Sequence, residues 1–168
     1  VRLSDGVGLV FTAHNTFYFA KRLDLWPPTA AWPQAPIFDV ELADDIDPYE
    51  SHFSVVRDEF DNLHLATLNR GNLVYSRLPG GALAWGPLRE ISGVSNANYV
   101  QVASSSGRLT IVANNNDANL VVFRSGDQGG TFAQRYRLTH PGIRTGLGVN
   151  HMFPRIEMPG NATGNLIV

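Results

Sequence analysis

Ser125-Gly126-Asp127-Gln128-Gly129-Gly130-Thr131-Phe132 is the stretch of this sequence that decides its fold. It has the pattern S-x-D-x-G-x-T-F and lies between two runs of strand-forming residues. The pattern is typical of a tight hairpin turn, because an Asp side chain accepts hydrogen bonds from backbone N–H groups and glycine adopts positive φ without strain. We therefore expect Asp127 to close the turn and the ring of Phe132 to plug the space beneath it.

The same arrangement recurs along the chain. Trp32, Trp85 and Phe132 each precede a strand-like run, and they are 53 and 47 residues apart. Each is also preceded by two further strand-like runs: Leu9–Phe11 and Phe17–Phe19, Leu63–Leu65 and Leu73–Tyr75, and Leu109–Val112 and Leu120–Phe123. A period of about 40–50 residues with several short strands is typical of a β-propeller blade.

The S-x-D-x-G-x-T-F stretch resembles the Asp-box, or BNR repeat, of the sialidase-like β-propellers. In that family the box is a folding element on the blade rim, away from the active face. The resemblance assigns structural roles to five residues: Ser125, Asp127, Gly129, Thr131 and Phe132. It implies an all-β fold of four-stranded antiparallel blades. The corresponding turns before Trp32 and Trp85 have lost the pattern.

The repeat predicts about three blades and part of another. We expect them at about 1–45, 46–95 and 96–140, with a further blade starting in 150–168. Propellers close with roughly 4–8 blades, so three leave open edges. The sequence therefore predicts part of a ring of about six or seven blades. The ring would be completed by the rest of a longer chain, which we favour, or by a second copy.

Composition excludes several functions. The 43% hydrophobic content of 168 residues is enough to bury a core. The net charge of −2 offers no basic surface for nucleic acid. No apolar run approaches the ~20 residues of a membrane span, and no signal-peptide pattern is present. The absence of Cys excludes disulfides and thiol catalysis, and no sustained helical period occurs, so we expect almost no helix.

The loops of a propeller blade lie on two faces. Connections between blades share one face with the turns between second and third strands, and propellers bind ligands there. That face should receive six segments: the connections 41–52, 93–99 and 140–152, and the turns 14–15, 69–71 and 114–117. Because loops on a rigid scaffold concentrate function, we look for the site there.

The acidic connection 44–52 is the richest of these loops. Asp44 could be the acid of a glycosidase, which needs two carboxyl groups flanking the scissile bond. Asp45 and Asp47, with backbone carbonyls, could instead hold Ca²⁺. A solvated turn ending at Pro48 explains the same residues without any ligand, and it is the interpretation we favour. We expect no other cofactor and no other metal.

The candidate ligand-binding residues are Asp45, Asp47, His52, Asn98, Asn115, Asp117 and His151. Amides suit sugar hydroxyls because each offers donors and an acceptor, although Asn is also common in ordinary turns. Aromatic residues could stack on sugar rings. The candidates are Trp26, Trp32, Trp85, Tyr49 and Tyr99. Trp26 is the only one that we expect to be exposed, and we expect Trp32 and Trp85 to be rim plugs.

The sialidase resemblance also implies an arginine that binds a sugar carboxylate through two hydrogen bonds, in a Phe/Tyr-Arg-Ile-Pro motif. The nearest match is Phe153-Pro154-Arg155-Ile156, but the inserted Pro154 would turn Arg155 to the opposite face of its strand. The full set of catalytic candidates is Asp44, Tyr49, Arg70, Arg144 and Arg155. None of them lies in a complete motif.

Three functions remain open. The first is an extracytoplasmic recognition or scaffold propeller, extracellular or periplasmic, that binds a glycan or a protein on the loop face. The second is an exo-acting glycoside hydrolase of the sialidase type. The third is a structural subunit whose open blade edges are covered by partners. We favour the first over an enzyme, because this fold hosts many roles.

Overall fold

The computed structural model describes residues 1–13, 15–39, 53–82, 84–97, 99–115 and 119–139. Eleven strands and no helix lie within these ranges. The strands are β1 Gly6–Ala13, β2 Thr16–Leu23, β3 Gln34–Asp39, β4 Phe53–Arg57, β5 Leu63–Asn69, β6 Asn72–Leu78, β7 Arg89–Glu90, β8 Val100–Ser105, β9 Arg108–Asn115, β10 Asn119–Ser125 and β11 Ala133–Thr139. Accordingly, these ranges hold nothing with the helical length and apolarity that a bilayer span requires.

The strands form three separate antiparallel sheets, each joined by hairpins between sequence neighbours. We name them the first blade (β1–β2–β3), the second blade (β4–β5–β6–β7) and the third blade (β8–β9–β10–β11). The second and third blades have four strands, and the first has three within the described residues. The predicted all-β fold of antiparallel propeller blades is thus confirmed.

The second and third blades pack face to face over one apolar core. Its members are buried residues of both sheets, among them Leu68, Leu73, Tyr75, Val100, Ile111 and Phe123. The innermost strands β4 and β8 lie side by side, and the N–H of Val102 donates to Ser54 Oγ at 3.1 Å. The adjacent inner strands are the arrangement that radial stacking of blades requires.

The first and second blades meet through aromatic side chains. Phe17 and Leu65 are fully buried, and the Phe17 ring lies edge-on to Phe53 at 5.2 Å between centroids. Trp85 packs against both this cluster and the neighbouring one around Leu63, edge-on to Phe19 at 5.9 Å. The prediction that Trp85 plugs the space between blades is therefore confirmed.

The predictions for the other two tryptophans were wrong. Trp26, expected to be exposed, is half-buried, because a turn closed by its N–H and the Leu23 carbonyl folds it back towards β2. Trp32, expected to be a plug, is 37% exposed. It precedes β3 in the first blade, and the described residues include no earlier blade for its ring to pack against.

Candidate functional site

The turn between β10 and β11, Ser125–Phe132, is closed by its own side chains. Asp127 accepts hydrogen bonds from Ser125 Oγ at 2.7 Å, from the Thr131 N–H at 2.8 Å and from Thr131 Oγ1 at 2.8 Å. Ser125 Oγ also accepts from the Gly129 N–H at 2.8 Å. The bonds from Ser125 and then Thr131 lower the pKa of Asp127 to about 2. The predicted closure of the turn by Asp127 is confirmed.

Phe132 leaves this turn towards the neighbouring blade. Its ring is half-buried and lies edge-on to Tyr75 of β6, with centroids 4.8 Å apart. The second blade also supplies two arginines to the turn: Arg77 Nη1 donates to the Gln128 carbonyl at 3.1 Å, and Arg89 Nη1 donates to the Gly130 carbonyl at 2.7 Å. The turn of one blade is therefore held by side chains of the next.

Buried polar side chains of the second blade form a hydrogen-bonded chain that ends at the hydroxyl group of Tyr75. His64 bridges Asp58 and Tyr75, with Nε2 at 2.9 Å from Asp58 Oδ2 and Nδ1 at 2.7 Å from the Tyr75 hydroxyl. All three residues are nearly inaccessible, at 4%, 0% and 1% exposure. Asp58 also accepts from the Asn62 N–H at 2.8 Å and from Asn62 Nδ2 at 2.7 Å. We name this set the Asp58–His64–Tyr75 chain.

The protonation states of this chain follow from its burial. Burial lowers the pKa of His64 by more than Asp58 raises it, so the neutral ring donates from Nε2 to Asp58 and accepts the Tyr75 O–H at Nδ1. Burial would raise the pKa of Asp58, but hydrogen bonds from Asn62 and His64 outweigh it and hold that pKa below its usual value. Burial also raises the pKa of Tyr75. A tyrosine held protonated is not an activated nucleophile, so the chain positions Tyr75.

The Tyr75 hydroxyl explains a glycine of the turn. Gly129 has φ of +84°, and a Cβ on it would collide with the hydroxyl and ring of Tyr75. Both the left-handed backbone and the close approach of the ring therefore require glycine at this position. The sequence pattern predicted a glycine at this position, but it did not predict that Tyr75 would be the side chain that excludes any larger residue.

A cavity of about 420 Å³ lies beside the turn, between the second and third blades. Aromatic and polar side chains line it together: Tyr75, Phe132, Arg89, Glu90, Ser92 and Gln134. The guanidinium of Arg89 lies 5.4 Å from the centroid of the Tyr75 ring. Glu90, Ser92 and Gln134 are exposed. The sequence analysis placed no site here, because the lining residues come from four separate segments of the chain.

At the opposite end of the blades, three predicted loops lie together. The Ala97 N–H donates to the Gly71 carbonyl at 2.9 Å, which joins the 93–99 connection to the β5–β6 turn. The Tyr99 N–H donates to Asn114 Oδ1 at 2.8 Å, which joins the same connection to the end of β9. Arg70 is exposed in this region with φ of +51°.

The sequence-predicted residues divide into two groups. Asp44, Asp45, Asp47, Tyr49, His52, Asn98, Asp117, Arg144, His151 and Arg155 lie outside the described residues. Arg70 and the backbone of Asn115 lie inside them, both at the loop end of the blades. Tyr99, one of the aromatic residues that could stack on a sugar ring, is buried, with only 8% of it exposed. Within the described part of the chain, no group of three or more His, Cys, Asp or Glu could hold a metal ion.

A scan against family models finds no match, and a comparison with curated proteins finds none either. Among solved structures, the chain is similar to NanB with Optactamide, with a TM-score of 0.55 and 11% identity over 83% of this chain and 22% of that one. The NanB sialidase from Streptococcus pneumoniae in complex with 2-[(3-chlorobenzyl)ammonio]ethanesulfonate gives a TM-score of 0.52, with the same identity and coverage. A bifunctional GH43-CE chain from Bacteroides eggerthii matches with a TM-score of 0.39 and 12% identity over 76% of this chain and 19% of that one.

These likenesses concern the fold. At 11% identity, the NanB structures show that this chain is folded like part of a sialidase propeller. The chain spans only 22% of the length of those structures. The value of 0.39 for the GH43-CE chain is too low to carry an argument.

Proposed function

We propose that this chain is part of a recognition or scaffold propeller of the sialidase-like superfamily that binds a glycan through the face opposite the Ser125–Phe132 turn. The observation that carries the proposal is the difference between the two ends of the blades. At one end, arginines and a buried polar chain fix the turn. At the other, separate loops converge around an exposed Arg70.

Within this proposal, the Ser125–Phe132 turn is an Asp-box. Its support is the set of bonds that Asp127 accepts from Ser125 and Thr131. The Phe132 ring under the neighbouring Tyr75 is further support. In this role the turn stabilises the blade and makes no contact with the ligand.

The loop face offers chemistry suited to hydroxylated ligands. Arg70 is an exposed cation, and the β5–β6 turn that carries it is joined through the Gly71 carbonyl to the next connection. We further propose that the candidate residues of the remaining loops complete this surface: Asp45, Asp47, His52, Asn98, Asn115, Asp117 and His151. The proposed location is extracellular or periplasmic. The rest of the ring would come from the same polypeptide or from a second copy.

A glycan array with fluorescently labelled protein tests the proposal. We expect selective binding that falls about tenfold in Arg70→Asn, since losing charge-assisted hydrogen bonds costs on the order of 1.4 kcal/mol. Asn is chosen because it tolerates the left-handed backbone at this position. Arg108→Asn is the matched control, because Arg108 is also exposed but begins β9 at the other end of the blade. An array without signal, or equal losses in both variants, contradicts the proposal.

An exo-acting glycoside hydrolase is the second candidate, favoured by the exposed Arg70 on the loop face of a sialidase-like fold. Its catalytic residues would be drawn from Asp44, Tyr49, Arg70, Arg144 and Arg155. Hydrolysis of 4-methylumbelliferyl sialoside and of neutral 4-methylumbelliferyl glycosides, measured by fluorescence, distinguishes the two functions. Turnover that Arg70→Asn abolishes would establish the enzyme. Glycan binding without any turnover would establish recognition.

A further inference from the structure

We propose that the cavity between the second and third blades is a separate carbohydrate site that takes one neutral pyranose ring. It lies beside the Ser125–Phe132 turn, at the other end of the blades from the loop face, and does not depend on the ligand proposed there. Its volume of about 420 Å³ is at the lower end of the roughly 300–1,000 Å³ of small-molecule pockets. This size favours a single ring over a longer oligosaccharide.

The walls of the cavity combine an apolar surface with polar groups. Phe132 is half-buried, so part of its ring remains available, while Tyr75 and Phe123 are about 1% exposed and close the floor. An aromatic surface beside hydrogen-bonding groups suits a sugar, which has both apolar C–H faces and a rim of hydroxyl groups.

The polar groups point to a neutral ligand. Arg89 and Glu90 both line the cavity, so the two charges offset each other and neither a cation nor an anion is favoured. Gln134 adds an amide that lies close to Gly93. A Cβ placed on this glycine would be only 3.2 Å from the Oε1 of Gln134. The exposed Ser92 adds a hydroxyl group. Together they offer donors and acceptors of the kind that sugar hydroxyl groups bind.

The cavity is also held in shape before any ligand enters. Arg89 is fixed by the carbonyl of Gly130 and by the face of Tyr75. Thr131 is fixed by both carboxylate oxygens of Asp127. Because Arg89 and Thr131 need no further ordering, this part of the wall loses little conformational entropy on binding.

The experiment titrates ¹⁵N-labelled protein with the methyl glycosides of glucose, galactose and N-acetylglucosamine at millimolar concentration. We expect the Gln134 side-chain amide and the backbone N–H groups of Ser92 and Gly93 to shift saturably with at least one probe. Gln134→Ala should weaken binding about tenfold, the equivalent of one well-formed hydrogen bond. Ser92→Phe should abolish binding by filling the cavity.

Two matched controls keep the test specific. Gln34→Ala changes an exposed glutamine on an outer strand of the first blade, and Ser95→Phe adds a ring to an exposed serine of the same connection. Both should bind the probe like the wild type, as judged by the signals of Ser92, Gly93 and Gln134. The proposal is overturned if no probe shifts these signals or if Gln134→Ala and Ser92→Phe bind normally. It is also overturned if the controls lose binding equally.

Discussion

The two contacts between neighbouring blades are built in different ways. Between the second and third blades, Arg77 and Arg89 donate to carbonyls of the Ser125–Phe132 turn, and Phe132 packs on Tyr75. Between the first and second blades, aromatic rings fill the space, and the hydrogen bonds across it involve only Arg2 and Ser4 before β1 among the bonds of the described residues. Trp85 supplies the largest of these rings, and its Nε1–H is buried without a hydrogen-bond partner.

The difference follows from the turns that precede the plugging aromatics. The intact turn before Phe132 presents carbonyls in fixed directions, because Ser125 and Asp127 close it internally. The longer turn before Trp85 closes through backbone bonds, such as the Gly86 N–H to the Arg77 carbonyl at 2.8 Å. A directional contact specifies the geometry between two blades, whereas apolar filling mainly adds buried area.

The largest expected effect comes from removing the ring at the centre of the directional contact. Tyr75→Ala should lower the free energy of unfolding by about 3–5 kcal/mol, because it opens a cavity and leaves His64 Nδ1 unpaired. Urea denaturation measures it. Tyr136→Ala is the control, because this tyrosine is 54% exposed and should cost less than about 1 kcal/mol. Equal effects would show that Tyr75 has no special role in this contact.

The next effect comes from the carboxylate that closes the intact turn. Asp127→Ala should cost about 1–2 kcal/mol, as the loss of a capping side chain does. Because the pKa of Asp127 is lowered to about 2 from 3.8, its contribution is present above pH 4 and is lost as the pH falls towards 2. The wild type and the variant should therefore converge in stability at acid pH. A constant difference from pH 6 to pH 2 would contradict this.

The third effect is a pH dependence of the Asp58–His64–Tyr75 chain. Because burial lowers the pKa of His64 below 6.5, the unfolded chain takes up the proton first. Stability is therefore full above about pH 6.5 and falls as the pH decreases below it, by at most about 1.4 kcal/mol per pH unit. Denaturation between pH 8 and pH 5 should show that His64→Gln is less stable at pH 8 but has a weaker decline. An unchanged slope would contradict the neutral, buried state of His64.

The smallest effect tests the apolar contact. Trp85→Phe should change stability by less than about 1 kcal/mol, because the loss of buried area is offset by removal of the unpaired Nε1–H. Thermal unfolding of the two proteins side by side would measure it. A loss as large as that of Tyr75→Ala would show that the two inter-blade contacts are equally specific, and the comparison would fail.

Much of the fold could be predicted from the sequence, because its signals are local. The strand at Leu120–Phe123 and the closure of the turn by Asp127 depend on residues close together in the chain. The positions of Trp26 and Trp32 could not be predicted in the same way. Their burial depends on how the chain folds back and on which blade lies alongside, and neither is encoded in spacing.

The buried polar chain and the cavity were harder to predict from the sequence than the fold. The Asp58–His64–Tyr75 chain joins three elements, and its one local signal is a histidine between Leu63 and Leu65 in an apolar strand. The cavity beside Phe132 has no local signal, because Arg89, Ser92 and Gln134 meet only when two blades stack. Most loop candidates lie outside the described residues, so their roles stay predictions.

The arginines that hold the Ser125–Phe132 turn have a consequence for modularity. Arg77 and Arg89 belong to one sheet, and the carbonyls of Gln128 and Gly130 that they bind belong to the next. If β8–β11 alone were transplanted into another propeller, the turn would lose the guanidinium donors of Arg77 and Arg89. Tyr75 of the same sheet in turn depends on Asp58 and His64. The exchangeable cassette therefore begins at β4 and comprises the second and third blades together.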